Sequence, residues 1–245
     1  MKRISTIRKT LSIGLGIGLV GGAIWAGWQL LAGPDLSLLP NMVSVARTDQ
    51  ANFYVQVDEV TVAQWNLCHA AGDCDLLLPT PNGDAAASYP ATGVSFPDVQ
   101  QYIAWLNKQT QHEFRLPSTQ EWRDMAQEVM PEIPDPIFTD PQLSWASAYI
   151  TESQISRRLL PTGSYATTAA GVRDLDGNVW EWTRDCYRGS SDPETLNRCP
   201  AFYVQGIHES VISYLVRDPA RGGCAVGSPP AHLGLRLVSD DPLRP

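Results

Sequence analysis

"GVRDLDGNVWEWTRDCY", residues 171–187, is the stretch on which the reading of this 245-residue chain turns. Asp174, Asp176, Asn178 and Glu181 place four side-chain oxygens within eight residues, and Gly177 lets backbone carbonyls turn toward a common point. Hard oxygen ligands in an irregular loop suit Ca²⁺, which tolerates uneven geometry. The spacing is not that of an EF-hand, whose loop is longer and whose glutamate lies further on. An ordinary Asp-Gly-Asn turn fits the same letters, so the residues alone leave both readings open. Beyond the turn, Trp180 and Trp182 alternate with Glu181. In a strand this sends both indoles to one side, the core, and the carboxylate to the other.

Working outward, residues 131–245 carry short strand signals joined by long turns, with Pro131, Pro134, Pro136 and Pro141 breaking up the first part. Regular structure is clearer upstream. "FYVQV" (53–57) is β-branched and aromatic and predicts a strand. Thr61 caps a short helix through Cys68. Ser95 caps a second, with Pro97 and Asp98 in its first turn and Val99, Tyr102, Ile103 and Leu106 on one face. Ser118 and Glu121 form a capping box for a third, with Trp122, Met125 and Val129 inward. Length and composition (43% hydrophobic, 18% charged) suit one good-sized domain with a real core, and 19 Gly with 19 Pro predict many loops.

The N-terminus is different in kind. Lys2, Arg3, Arg8 and Lys9 are the only charges before Asp35, and an apolar run extends from Leu11 to Ala32. As a helix it reaches roughly the 30 Å of a bilayer core. We read residues 1–34 as an uncleaved membrane anchor, with a signal peptide cut near Ala32 as the alternative. Positive charges stay cytoplasmic, which sends the rest of the chain to the other side. Residues 35–51 read as a tether and 52–240 as the folded domain. Outside the anchor the acids outnumber the bases and the net charge is −12. Nucleic acid is therefore excluded as a partner, since phosphate binding needs a basic face.

"GNVWEW" with "PTGSYATTAAGVRDLD" before it, together with "EVTVAQW", "YPATGVSFPDVQQYIAWLN", "FRLPSTQEW", "ARGG" and "LGLRLV", resembles the formylglycine-generating enzyme, or sulfatase-modifying factor, family from about residue 52 to residue 238. The resemblance implies an α+β fold of the C-type-lectin-like kind, poor in regular secondary structure. It also implies a calcium ion held by backbone carbonyls and the glutamate carboxylate, which falls here on Asp176, Gly177, Val179 and Glu181, with Asn178 beside them. The family's second calcium site needs an Asn near "SWASAYI", where there is none, so one ion at most is expected. Family oxidases hold copper(I) between two cysteines shortly after an "RGGS" turn, and soft thiolates are the natural ligands of that ion. Here the turn reads Arg221-Gly222-Gly223-Cys224 and passes through "AVGSPPAH" directly to "LGLRLV". Both copper cysteines are missing, copper is not expected, and Cys224 stands at the serine position. His69, His112, His208 and His232 are scattered and do not match the iron-binding pattern of the ergothioneine-synthesis relatives.

Five cysteines cannot all pair with one another. Cys68 and Cys74 bracket a short Gly-containing loop that a disulfide could close, and Cys186 and Cys199 bracket a polar loop, as similarly placed cysteines do in extracytoplasmic relatives. Metal ligation is the rival reading of these four, against which stands the lack of CxxC spacing. Cys224 is left as a small buried apolar residue or, alternatively, an exposed thiol activated by Arg221. Two functions follow as expectations. One is a membrane-anchored periplasmic accessory factor that binds or matures a protein client. "EVTVAQWNLCHAAGDC" and "ATGVSFPDVQQYIAWLN" look most like the nitrite-reductase-accessory members, which points to denitrification. The other is an oxidoreductase of a peptide or small metabolite with Cys224 as its catalytic residue.

Overall fold

The computed structural model describes residues 33–47, 51–80, 84–130, 158–188, 199–219, 224–226 and 230–243. The chain divides into Met1–Asp35 and Leu36–Pro245, and every helix and strand described belongs to the second unit. The expected membrane anchor lies outside the described residues. Among the described ones no helix is long and apolar enough to cross a membrane.

The folded unit is α+β with sparse regular structure. Strands β1 (Met42–Val45) and β2 (Phe53–Gln56) form an antiparallel pair that registers Val43 on Val55 and Val45 on Phe53. Part of the expected tether is thus sheet. In "MVSV" the valines are two apart, and Val45 reaches the core beside the buried Phe53 and Val55.

Helices α1 (Val62–Ala70), α2 (Phe96–Thr110) and α3 (Thr119–Ala126) begin where their caps predict. Thr61 and Gln64 close a capping box on α1, and Ser118 and Glu121 do so on α3. At α2 the backbone N–H and hydroxyl of Ser95 both donate to Asp98 Oδ2, at 2.8 and 2.6 Å. Val99, Tyr102, Ile103 and Leu106 are buried as the periodicity requires. Val129 differs from expectation: α3 ends at Ala126, and Val129 packs against the core from the turn beyond it.

Strands β3 (Trp180–Tyr187), β4 (Ala201–Gln205), β5 (Ser210–Ser213), β6 (Cys224–Val226) and β7 (Leu233–Gly234) form a second sheet in the order β6-β5-β4-β3-β7. Its pairs are antiparallel except β3 with β7. β8 (Val238–Ser239) returns to the first sheet beside β2. "LGLRLV" therefore crosses from one sheet to the other. On the way the carbonyls of Leu235 and Leu237 accept from the N–H groups of Val60 and Gln56, at 3.0 and 2.9 Å. Gly234 allows the crossing to start close to its neighbours, because a Cβ there would stand 2.6 Å from the Ala91 carbonyl oxygen. The crossing carries Arg236 into the interior.

Glu121 ties the outer elements together. It accepts from the Ser118 N–H and from both ends of the Arg115 guanidinium, at 2.8, 2.7 and 2.8 Å, and pairs also with Arg47. Burial by itself would raise its carboxyl, but Arg115, Ser118 and Arg47 hold it below the usual glutamate range.

Candidate functional site

The loop that enters β3 is fixed by its own polar side chains. Asp174 and Asn178 both adopt left-handed backbone, with φ of 65° and 64°, a conformation that Asp and Asn tolerate better than most residues. Asp174 accepts from the N–H groups of Gly163 and Tyr165, and Asp176 Oδ1 from that of Ala166 at 3.0 Å. Asn178 pairs both ways with the Leu160 backbone, at 3.0 and 3.2 Å. Residues 160–166 are stitched to the loop by these contacts. Gly177 is required for a steric reason, since a Cβ there would lie 2.4 Å from the Tyr165 ring.

Trp180 and Trp182 enter the core as the alternation predicts, but Glu181 between them is also buried, at 1% exposure. The other face of β3 is covered too. Glu181 Oε1 accepts from Arg236 Nε at 3.0 Å and lies 2.8 Å from Nη2, while Oε2 accepts from the Trp122 indole N–H at 2.8 Å. Arg236, at 0% exposure, spends its remaining donors on backbone carbonyls. Nη1 reaches Gln56 and Val57 at 3.0 and 2.6 Å, and Nη2 reaches Arg173 at 2.8 Å. Glu59 completes the cluster: fully buried, its Oε2 4.0 Å from Arg236 Nη2, neither oxygen hydrogen-bonded. Burial pushes its carboxyl up to about 8, against the pull of Arg236 and with the added push of Glu181 and Asp174.

This arrangement bears on calcium. The side chains of Asp176, Asn178 and Glu181 are each turned to a protein donor, and the Gly177 carbonyl accepts from the Val179 N–H at 2.8 Å. A guanidinium already stands against Glu181. Among the described residues no three His, Cys, Asp or Glu side chains gather where they could hold a metal ion. Of the oxygens that the resemblance gives to calcium, the Gly177 carbonyl and the Glu181 carboxylate thus already accept from protein donors. Glu59, Trp122 and Arg236 are the partners that sequence reasoning missed. The available signal was a lone charge inside an apolar motif, Arg236 between Leu235 and Leu237 and Glu59 beside Val60.

Four cysteines are paired, Cys68 with Cys74 and Cys186 with Cys199, with Cα separations of 5.3 and 5.8 Å. The two disulfides suggest an extracytoplasmic domain. The backbone of Cys224 opens β6, opposite Ile212 at the edge of the sheet. Its side chain and the Arg221–Gly223 turn lie outside the described residues. The segment leading there is anchored by Arg217, whose Nε and Nη2 each donate to Asp98 at 2.7 Å.

The molecule is thus a disulfide-containing, loop-rich α+β domain of the formylglycine-generating type, with a buried arginine locked to its Trp-Glu-Trp strand. Residues 21–241 match the family described as the sulfatase-modifying factor enzyme 1-like domain, and the chain belongs to that family. Among solved structures it resembles CarF, at 16% identity and a TM-score of 0.53 over 84% of this chain and 100% of that one. It also resembles PvdO from Pseudomonas aeruginosa, at 19% identity and a TM-score of 0.52 over 83% and 93% of the two chains. At these identities the likeness shows the fold alone. Two curated relatives are the serine/threonine-protein kinases Pkn1 of Chlamydia trachomatis and Chlamydia caviae. They are 29% and 26% identical over 101 and 138 residues, or 41% and 56% of this chain. The alignments span only 14% and 19% of the kinases' own length.

Proposed function

We propose that this protein is a membrane-anchored, extracytoplasmic member of the family that binds or helps to mature a protein client and does not carry out copper-dependent cysteine oxidation. The observation that carries the reading is the thiol count. Five cysteines are present and four are spent in disulfides, so a single chain has one thiol and cannot supply the two thiolates that the resemblance assigns to copper(I). The short span from β6 to β7, six residues between Val226 and Leu233, contains no cysteine.

The net charge of −12 beyond the anchor suits a cationic protein face better than a nucleic acid. A periplasmic copper nitrite reductase is the first client to test, on the strength of the "EVTVAQWNLCHAAGDC" and "ATGVSFPDVQQYIAWLN" likeness. In a denitrifying host, removing this protein should leave the reductase synthesised but lower in activity, with activity restored by the full chain and by its Cys224→Ser form. Full reductase activity in the deletion strain would remove that client. Restoration by the wild type but not by Cys224→Ser would favour thiol chemistry instead.

A further inference from the structure

A strand at the edge of a sheet presents unpaired backbone groups, and folded proteins blunt such edges with charges, prolines, bulges or a covering segment. The first sheet treats its two edges differently. At β8 the outward N–H and carbonyl of Val238 are both taken by Arg115, at 2.9 Å each. At β1 the outward groups are left open. Continuing the register of β1 on β2 by one residue sets Asn41 opposite Val57, and the Val57 N–H donates to the Asn41 carbonyl at 2.9 Å. Alternation along an antiparallel pair then gives the backbone groups of Val43 and Val45 to β2 and turns those of Met42 and Ser44 outward. Among the described residues no backbone group meets them. The usual protections are missing too: from Asn41 to Ala46 there is no charge and no proline, the pairing with β2 runs without a bulge, and Ser44 is exposed.

We propose that this edge receives β1 of a second copy of the chain, antiparallel about a twofold axis at Val43, so that two three-stranded sheets become one of six. Met42 of each copy then faces Ser44 of the other, and the two N–H groups and two carbonyls that each strand turns outward are all answered. The inference rests on the anchored reading proposed above, which holds every copy in one plane with one orientation and so raises the effective concentration of one edge at the other. An independent sign of a second copy lies in the anchor sequence itself. Gly14, Gly18, Gly22 and Ala26 recur at every fourth position, the spacing at which small residues let two membrane helices approach closely. Only nine residues, 33–41, lie between that apolar run and β1. Repulsion between two acidic domains is screened beyond about 8 Å at physiological salt, and the strand itself carries no charge.

The test uses the full-length chain in membranes, with Cys224→Ser removing the one free thiol and Val43→Cys adding another, followed by mild oxidation and a non-reducing gel. Directly opposed residues of a non-hydrogen-bonded pair stand about 4.5 Å apart at Cα, within disulfide range. A disulfide-linked dimer is therefore expected with Val43→Cys, and not with Leu215→Cys at an exposed position away from the strand. Adding Ser44→Pro to Val43→Cys deletes the outward donor from both strands and no backbone bond of the fold, and should lower the dimer yield roughly tenfold or more. Cross-linking through Val43→Cys no greater than through Leu215→Cys leaves the edge to a client strand and overturns the proposal, as does cross-linking that survives Ser44→Pro. Alkaline extraction of the same membranes reads the anchor separately. A chain released by it refutes the anchored reading, while the cross-link still decides the pairing of β1.

Discussion

Glu59 lies in the interior with neither oxygen hydrogen-bonded and its carboxyl held up to about 8, against 4.5 for the free group. Such a group favours folding while it is protonated in both states, below pH 4.5. The folded state loses stability as pH rises from there through about 8, and the loss then levels off. Replacing Glu59 by Gln removes the ionisation. Unfolding free energies of wild type and Glu59→Gln from urea melts should coincide near pH 4.5 and diverge as pH rises, with a gap of roughly 4–5 kcal/mol above pH 8. Parallel curves across the window would show that Glu59 ionises freely in the folded protein. The same residue shows where sequence reading stopped. "EVTVAQW" was legible as a family motif. That its first letter is buried depends on Val60 pairing with Leu235, a contact 175 positions away that no local pattern announces. Glu181 was legible as an oxygen ligand in the family pattern, with its carboxylate expected on the face away from the core. Its partner was not, because Arg236 arrives from the far end of the chain.

The three helices were readable because their caps are local. Ser118 and Glu121 are three residues apart, and the reciprocal bonds of the box need nothing beyond that turn. Ser118→Ala should cost about 1 kcal/mol of stability, read as a lowered urea midpoint with an unchanged slope. A larger loss would mean that Glu121 needs Ser118 in order to hold Arg115 and Arg47. Strand β1 was missed within the expected tether because "MVSV" is too short to be told from a linker until Val43 and Val45 find Val55 and Phe53. The β3 to β5 sheet was legible only as short strands and turns. Its order requires β7 to join in parallel from the other side, a long-range pairing set by the Gly234 approach to Ala91.

The fold as a whole followed from several modest motifs in one order, each weak alone, and the family match over residues 21–241 agrees with them. The site was less legible, since the contact of Arg236 with Glu181 joins residues 55 positions apart. The thiol inventory can be counted. Two disulfides take four of five cysteines and leave Cys224 by itself. The measurement that tests the central claim most directly is oxygen uptake by the purified full-length chain supplied with copper(I) and a cysteine-containing peptide. The uptake is predicted to equal that of the same mixture without protein, for the wild type and for Cys224→Ser alike. Catalytic, multiple-turnover oxygen consumption that converts the peptide thiol and is lost in Cys224→Ser would contradict it.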